Sequence, residues 1–228
     1  MARLLLIGNS RWHWAEPCAT GGGLHCWHTP PADDLEAEDL QAWAAVGSLP
    51  GHAPSVAARR LALADVPLQG VPPWLGIDRA LVGWRAWQQQ QQAVLVADAG
   101  TALSLTRVSA DGRFEGGLIS AGVSLQLRAL AGSTAQLPQL EGPCFEASQP
   151  TEAWPQSTDR AMAEGCRRAV AAAIAQAAAE AAGSCLWLTG GDAALVLPLL
   201  MAQQLQLVHA PDLVLEAMAA LPVAGWRR

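Results

Sequence analysis

The first part of the chain alternates short apolar runs with turns that contain glycine, asparagine or proline. Leu4–Ile7 is followed by Gly8-Asn9-Ser10, which predicts a strand and a turn, and Trp12–Trp14 predicts the second strand of a hairpin. Early acidic residues and apolar positions at helical spacing predict a helix over Asp33–Val46. A second helix is predicted over Ile77–Gln92, with glutamines at its polar end.

The second part of the chain predicts a mixture of strands and helices. The predicted strands are Ala93–Ala97, Ala102–Val108, Arg113–Ile119, Leu186–Leu188 and Leu205–His209. The predicted helices are Ser124–Ala131, Asp159–Ala182 and one after Asp192, and the proline-containing segment Glu141–Gln156 predicts a loop. The long helix follows a sequence that can cap it, Ser157-Thr158-Asp159, and ends at Gly183. The pattern therefore predicts an α/β protein.

Two segments of the chain have the same form. Leu4–Ser10 and Val94–Thr101 are each an apolar strand that ends in a glycine turn followed by a hydroxyl residue. Two related halves would place both turns against one polyphosphate. We therefore predict two domains, residues 1–92 and residues 93–228, with the boundary in the glutamine run.

Composition narrows the class of protein. Of the 228 residues, 51% are hydrophobic and 15% are charged, so a large core is expected and disorder is not. The net charge is -6 and no basic stripe is present, which argues against a nucleic-acid partner even though the chain has 10 tryptophans. No apolar run reaches the roughly 18 residues that span a bilayer, and the N-terminal run is too short for a signal peptide. A cytoplasmic location without membrane association is the expectation.

The cysteines and histidines near the N-terminus form a loose cluster of Cys18, His25, Cys26 and His28. Their spacing matches no common zinc pattern, because no Cys-x2-Cys pair anchors it. Ordinary loop and core residues are the favoured interpretation, with a metal site as the alternative. The 5 cysteines are irregularly spaced, which disfavours a disulfide framework.

Two short motifs carry the chemistry of a phosphoryl-transfer site. Gly76-Ile77-Asp78-Arg79 places a carboxylate beside a fixed cation, and Asp98-Ala99-Gly100-Thr101 is a glycine turn at the end of an apolar run. A carboxylate can accept a hydroxyl proton, an arginine can bind an anion through two hydrogen bonds, and glycine turns let backbone N–H groups approach phosphate. Each motif alone also fits a helix cap or a structural turn.

The motifs taken in order resemble the type III pantothenate kinases, a family of the acetate kinase, sugar kinase, Hsp70 and actin superfamily. The family's segments are similar to Leu6–Ser10, Gly76–Arg79, Asp98–Ser104, Gly116–Gly122, Thr158, Thr189–Gly191 and Pro211–Glu216. The resemblance covers essentially the whole chain. It implies two actin-like (ribonuclease H-like) α/β domains with a central cleft, in a homodimer.

The resemblance also implies a reaction and its residues. The reaction is ATP-dependent phosphorylation of pantothenate to 4'-phosphopantothenate, the first step of coenzyme A biosynthesis. By the family's pattern Asp78 is the general base, and pantothenate is bound by Gly76, Ile77, Asp78, Arg79 and Thr158. ATP is bound by Leu6, Ile7, Gly8, Asn9, Ser10, Arg11, Trp12, His13 and Thr101. Asp98 holds a monovalent metal ion, K⁺, or NH4⁺ in its place, and Mg²⁺ accompanies ATP.

Several positions depart from the family's pattern. Leu6 stands where the family has an aspartate near the ATP-bound metal, and His13 stands where a lysine is common. Thr106, Ala121 and Ser157 replace an aspartate, a proline and an asparagine. These departures leave open an alternative function: a regulatory or accessory protein that binds ATP or pantothenate with weak or no kinase activity. A kinase of the same superfamily for another small alcohol or acid is a further alternative.

Overall fold

The computed structural model is an α/β protein, and it describes residues 3–18, 22–32, 39–46, 49, 58–140 and 152–222. Its strands are β1 (Arg3–Ile7), β2 (Trp12–Pro17), β3 (Leu24–Thr29), β4 (Leu40–Ala45), β5 (Arg59–Arg60), β6 (Val94–Ala99), β7 (Ala102–Val108), β8 (Phe114–Ala121), β9 (Cys185–Thr189) and β10 (Leu207–His209). Its helices are α1 (Ile77–Gln90), α2 (Val123–Ser133), α3 (Thr158–Glu180), α4 (Ala193–Ala202) and α5 (Leu213–Ala220), with a 3-10 turn at Leu63–Asp65.

The first sheet has the strand order β3-β2-β1-β4-β5. Its centre is β1, which pairs antiparallel with β2 and parallel with β4. The apolar run Leu4–Ile7 is buried along its whole length, as expected for a central strand covered on both faces. The predicted strand and hairpin at the N-terminus are confirmed.

The predicted helix over Asp33–Val46 is wrong where the structure describes it. Leu40–Ala45 forms β4, and residues 33–38 lie outside the described residues. Consecutive residues of this strand, Ala42, Trp43 and Ala44, are buried, so apolar side chains lie on both of its faces, and its edges pair with β1 and β5. A short run that is buried on both faces lacks the alternation that distinguishes a strand from a helix, so local periodicity misled the prediction.

The second sheet has the strand order β10-β9-β6-β7-β8. Its centre is β6, which pairs parallel with β9 and antiparallel with β7. All five predicted strands of the second part of the chain are confirmed, with end shifts of a few residues. The predicted helices at α2, α3 and α4 are confirmed as well. The predicted loop Glu141–Gln156 lies partly outside the described residues.

Helix α3 buries one stripe of its surface. Met162, Cys166, Val170 and Ile174 follow one another at intervals of one turn, and all four are buried in the core of the second sheet. Gly165 lies on the exposed face, with no described neighbour within 4 Å of the place a Cβ would take. The small alanine side chains between these positions favour the helix intrinsically.

The described residues divide into two compact units. Unit 1 comprises residues of Met1–Gln91, Ala110–Phe114 and Asp212–Arg228, and unit 2 comprises Gln92–Ser109 and Glu115–Pro211. The C-terminal helix α5 packs against α1 and β1 of unit 1. The division into domains of residues 1–92 and 93–228 stays a prediction. None of the described helices is both long enough and apolar enough to cross a membrane.

Candidate functional site

In unit 2, the turn that follows β6 is built by strand pairing. Asp98 is the last polar residue of β6 and lies opposite Ser104 of β7 and Thr189 of β9. Its side chain is half-buried. The Gly100 N–H donates to the Ala102 carbonyl at 3.1 Å, which closes the turn that carries Thr101. The central position of β6 therefore holds the Asp-x-Gly-Thr motif in a fixed place.

Two other glycine turns of unit 2 approach this turn. Gly122 donates its N–H to the Thr101 carbonyl at 3.0 Å, and a Cβ at Gly122 would collide with the Gly100 carbonyl oxygen. Gly190 has a φ of +97°, and a Cβ there would collide with Asp98 Oδ1 and lie 2.5 Å from the Ala99 carbonyl oxygen. At Gly190, only glycine permits both the positive φ and the close approach to the neighbouring turn. The three segments that the sequence singled out separately thus meet at one place in unit 2.

Asp192 joins these turns by hydrogen bonds. Its N–H donates to the Ala99 carbonyl at 2.7 Å. Its carboxylate accepts from the backbone N–H and the hydroxyl of Ser124, each at 3.2 Å, at the beginning of α2. A carboxylate at a helix N-terminus is favoured by the helix dipole. Ser124 and Asp192 were not predicted as site residues, although an acidic residue directly after a Gly-Gly pair was a usable signal.

In unit 1, Gly76–Arg79 forms the beginning of α1. Gly76 is the N-cap residue, and Asp78 lies in the first turn, where its Oδ1 accepts from the Arg79 N–H at 2.8 Å. A Cβ at Gly76 would lie 2.5 Å from Asp78 Oδ1, so glycine leaves the room that this rotamer needs. Ile77 is buried and anchors the helix start.

Burial sets the electrostatics of this helix start. Desolvation raises the pKa of Asp78 above its usual value, against the smaller opposing effects of the Arg79 N–H and the Arg79 charge. Arg79 is only 8% exposed, and its guanidinium carbon lies 5.9 Å from the ring centroid of Phe114. Desolvation also lowers the pKa of Arg79, but an arginine stays charged. The site thus holds a carboxylate of raised proton affinity beside a packed, fixed cation.

The N-terminal turn of unit 1 is closed by backbone contacts. The Gly8 N–H donates to the Arg11 carbonyl at 3.1 Å, and Asn9, Ser10 and Arg11 are exposed. A Cβ at Gly8 would lie 2.7 Å from the Arg11 carbonyl oxygen and 3.4 Å from His13 Nε2. The His13 ring is therefore next to the turn.

The remaining candidate residues are placed as follows. Leu6, Ile7 and Trp12 are buried within β1 and β2, and Thr158 is the exposed first residue of α3. Of the predicted site residues, Asp98 and Thr101 share one turn in unit 2, whereas the N-terminal turn and Gly76–Arg79 are separate segments of unit 1.

Among the described residues, no cluster of three or more histidine, cysteine or acidic side chains has the geometry of a metal site. Cys18, His25, Cys26 and His28 belong to the described residues and form no such cluster.

Comparisons of the sequence with known proteins find similarity to one enzyme family. The family model for type III pantothenate kinase matches residues 52–180. A type III pantothenate kinase of Synechococcus elongatus is 34% identical over 252 aligned residues, which cover 97% of this chain and 100% of that relative. One of Thermosynechococcus vestitus is 42% identical over 179 residues, which cover 75% of this chain and 67% of that relative.

Solved structures with the same fold are distant in sequence. A 2-dehydro-3-deoxygalactonokinase protein from Sinorhizobium meliloti superposes with a TM-score of 0.56 at 12% identity, over 99% of this chain and 98% of that one. The activator of the 2-hydroxyisocaproyl-CoA dehydratase from Clostridium difficile, with bound ADPNP, gives 0.54 at 11% identity, over 98% and 94%. These likenesses show the actin-like α/β fold, as the motifs predicted.

Proposed function

The chain belongs to the type III pantothenate kinase family, and from this membership we propose how its residues carry out ATP-dependent phosphorylation of pantothenate, the first step of coenzyme A biosynthesis. The reaction transfers the γ-phosphoryl group of ATP, used with Mg²⁺, to the primary hydroxyl of pantothenate. The observation that carries the proposal is Asp78, a half-buried carboxylate of raised pKa beside a buried arginine at the start of α1.

Asp78 is the general base. Its carboxylate accepts the proton of the pantothenate hydroxyl as that oxygen attacks the γ-phosphorus and ADP departs. A raised pKa brings the carboxylate closer to the operating pH, which increases its strength as a base. This use of Asp78 favours a working kinase over an accessory protein that only binds ligands.

Arg79 and its neighbours bind pantothenate. The Arg79 guanidinium is held against Phe114, so its donors are oriented before the substrate arrives. Pantothenate carries a carboxylate, which a guanidinium binds through two parallel hydrogen bonds. By the family's pattern, pantothenate is also bound by Gly76, Ile77 and Thr158.

Residues 6–13 and Thr101 bind ATP. The exposed turn at Asn9–Arg11 and the glycine-lined turn at Thr101 both offer backbone N–H groups, which suit phosphate oxygens. Leu6 is buried in β1, and its aliphatic side chain supplies no ligand to Mg²⁺. The metal accompanying ATP therefore depends on the phosphates and on other residues.

Asp98 holds a monovalent cation. The donor set at its turn suits K⁺ or NH4⁺, since Asp98 Oδ1 and the Ala99 carbonyl oxygen both lie against the place that a Cβ of Gly190 would take. Hard cations select oxygen donors of this kind. A cation there would offset negative charge as phosphate oxygens gather at the turn. Asp98 and its neighbouring carbonyl groups keep the turn in one geometry.

A coupled assay of ADP release tests the reaction and its cation together. We expect pantothenate-dependent turnover with K⁺ or NH4⁺, and at least about tenfold less with Na⁺ alone, because the larger ions need less desolvation to enter a carbonyl-lined site. Asp98→Asn should raise the K⁺ concentration for half-maximal activity, since it removes the charge that binds the ion. Absence of pantothenate-dependent turnover with every cation would exclude the kinase function.

A homodimer in the cytoplasm completes the proposal. The edge strand β8 exposes Leu118 and Ile119, which are 61% and 65% accessible. An exposed apolar edge strand favours pairing with a second chain. Light scattering should give twice the mass of the chain, and Leu118→Lys with Ile119→Lys should shift the protein to monomer. A wild-type monomer at micromolar concentration would contradict the homodimer.

A further inference from the structure

The β2–β3 hairpin brings two histidines of unit 1 together. His13 lies directly opposite His28 in the strand register, and their Nδ1 atoms are 3.0 Å apart. The two rings meet edge to face, with centroids 4.8 Å apart and planes at 72°. A hydrogen bond between two Nδ1 atoms needs one ring to donate and the other to accept. The pair therefore couples the protonation of one ring to that of the other.

The Nε2 atom of each ring, which takes no part in the contact between the Nδ1 atoms, has its own neighbour. His28 Nε2 lies 4.0 Å from Asp212 Oδ1, at the start of α5, which packs against β1 and β2. His13 Nε2 lies beside Gly8, 3.4 Å from the place a Cβ would occupy. The result is a line from a carboxylate, through two imidazoles, to the N-terminal turn.

We propose that His28 and Asp212 are positioning residues for His13, and that they determine whether His13 Nε2 accepts or donates a hydrogen bond at the Gly8–Ser10 turn. This inference rests on the proposed function, because it takes that turn to bind the phosphates of ATP. Sequence alone gives His13 as a weak substitute for lysine. The pair with His28 gives His13 a second neutral tautomer with a defined geometry.

With the pair neutral, Asp212 selects the tautomer. The carboxylate favours a proton on His28 Nε2, which leaves His28 Nδ1 as an acceptor. His13 then donates from Nδ1, and its Nε2 faces the turn with a lone pair. A lone pair repels phosphate oxygens, so this state binds ATP poorly.

One added proton reverses the arrangement. His28 becomes an imidazolium beside Asp212 and donates from Nδ1 to His13 Nδ1. His13 remains neutral, with its proton now on Nε2, where it can donate to a phosphate oxygen. The proton balance is one proton taken from solvent for each pair that changes state. ATP binding should therefore be accompanied by proton uptake.

The two rings of the pair have different surroundings. Burial, then the charges of His28 and Arg11, lowers the pKa of His13 to about 4. His28 Nε2 has Asp212 Oδ1 4.0 Å away as a carboxylate partner, and Glu216 lies in the first turn of the same helix, α5. Cys26 lies near the same acids, but burial raises the pKa of its thiol to about 12, so it stays neutral.

Calorimetric titration with MgATP, without pantothenate, tests the inference between pH 6 and 8. Repeating each titration in two buffers of different ionisation enthalpy gives the number of protons taken up. We expect affinity to rise as pH falls, by up to about tenfold per pH unit, the limit for one linked proton. His25→Gln is the matched control, because His25 lies on the same strand but stacks on Trp27 and contacts Glu16.

The variants separate positioning from structure. The protons that MgATP itself exchanges are the same for every variant. A difference in proton uptake between two variants therefore comes from the protein. His28→Ala should lose the protein's share of proton uptake, and Asp212→Asn should move the pH profile to lower pH. His13→Lys should bind tightly at every pH in the range. A merely structural role would shift affinity equally at every pH and would overturn the inference.

Nitrogen chemical shifts of the histidine rings provide a second test on the wild-type protein. We expect His13 Nε2 to be unprotonated at pH 8 without nucleotide, and protonated when MgATP is bound at pH 6. A protonated Nε2 at pH 8 would overturn the inference. If MgATP binds with the same pH profile in wild type and His28→Ala, the inference about His28 is overturned and the proposed function stands. If MgATP does not bind at any pH, the proposed function is overturned as well.

Discussion

Asp78→Asn is expected to lower kcat by about 10²- to 10⁴-fold, the usual contribution of a general base, without lowering the stability of the fold. The amide keeps the size and the hydrogen bond to the Arg79 N–H, but it accepts no proton at neutral pH. A steady-state assay at saturating ATP and pantothenate measures kcat, and thermal unfolding at pH 7.5 measures stability.

The unchanged stability expected of Asp78→Asn follows from the direction in which the pKa of Asp78 is shifted. Burial raises the pKa of Asp78, so its contribution to folding is favourable below the unfolded pKa and is lost as pH rises through the folded pKa. At pH 7.5, above the unfolded pKa, the raised folded pKa lowers the stability of the fold, and an amide removes that effect. The same shift predicts that kcat of the wild type falls toward acid at a higher pH than an exposed aspartate would give.

Asp65→Asn is the matched control for this variant. Asp65 is also in unit 1, and its carboxylate accepts from the Ala62 N–H at 2.8 Å and from Arg59 at 2.9 Å. These bonds, led by the one from Ala62, lower its pKa, so its stabilising effect is present at neutral pH and is lost as pH falls. Asp65→Asn should lower the melting temperature slightly and leave kcat unchanged. Near-normal kcat in Asp78→Asn would exclude Asp78 as the base.

The sequence predicted the local elements of the site well because the relevant signals are local. A strand followed by Asp98-x-Gly100-Thr101, or a helix that begins at Gly76, is encoded within about ten residues. Where the signal was not local, prediction failed. β4 was taken for a helix because its extended conformation depends on backbone pairing with β1 and β5, which no periodicity within Leu40–Ala45 reveals.

Contacts between distant segments could not be predicted for the same reason. Gly190 touches Asp98 because β6 and β9 pair in a register that aligns Asp98 with Thr189. His13 meets His28 through a third strand of the first sheet that the sequence analysis did not assign. Sequence order identified the turns, whereas the register of the sheets determines which atoms touch.

Gly190→Ala is expected to reduce kcat/KM for ATP by about 10²-fold or more, since a displacement of about 1 Å at a reacting centre has effects of that size. A side chain at a φ of +97° is strained, and its Cβ would collide with Asp98 Oδ1 and approach the Ala99 carbonyl oxygen. The turn must shift, and Asp98 must shift with it. The K⁺ concentration for half-maximal activity should rise, and the fold should lose about 1–3 kcal/mol.

Gly165→Ala is the matched control, because it adds the same methyl group to unit 2 at a place where no described atom outside the surrounding backbone of α3 lies within 4 Å. It should stabilise α3 by about 0.5–1 kcal/mol and leave kcat/KM unchanged. If Gly190→Ala is folded by circular dichroism and retains wild-type kinetics and K⁺ dependence, the position of Asp98 has no role in catalysis. A parallel loss of ATP and K⁺ affinity in that variant alone would assign both functions to the junction of the β6 and β9 turns.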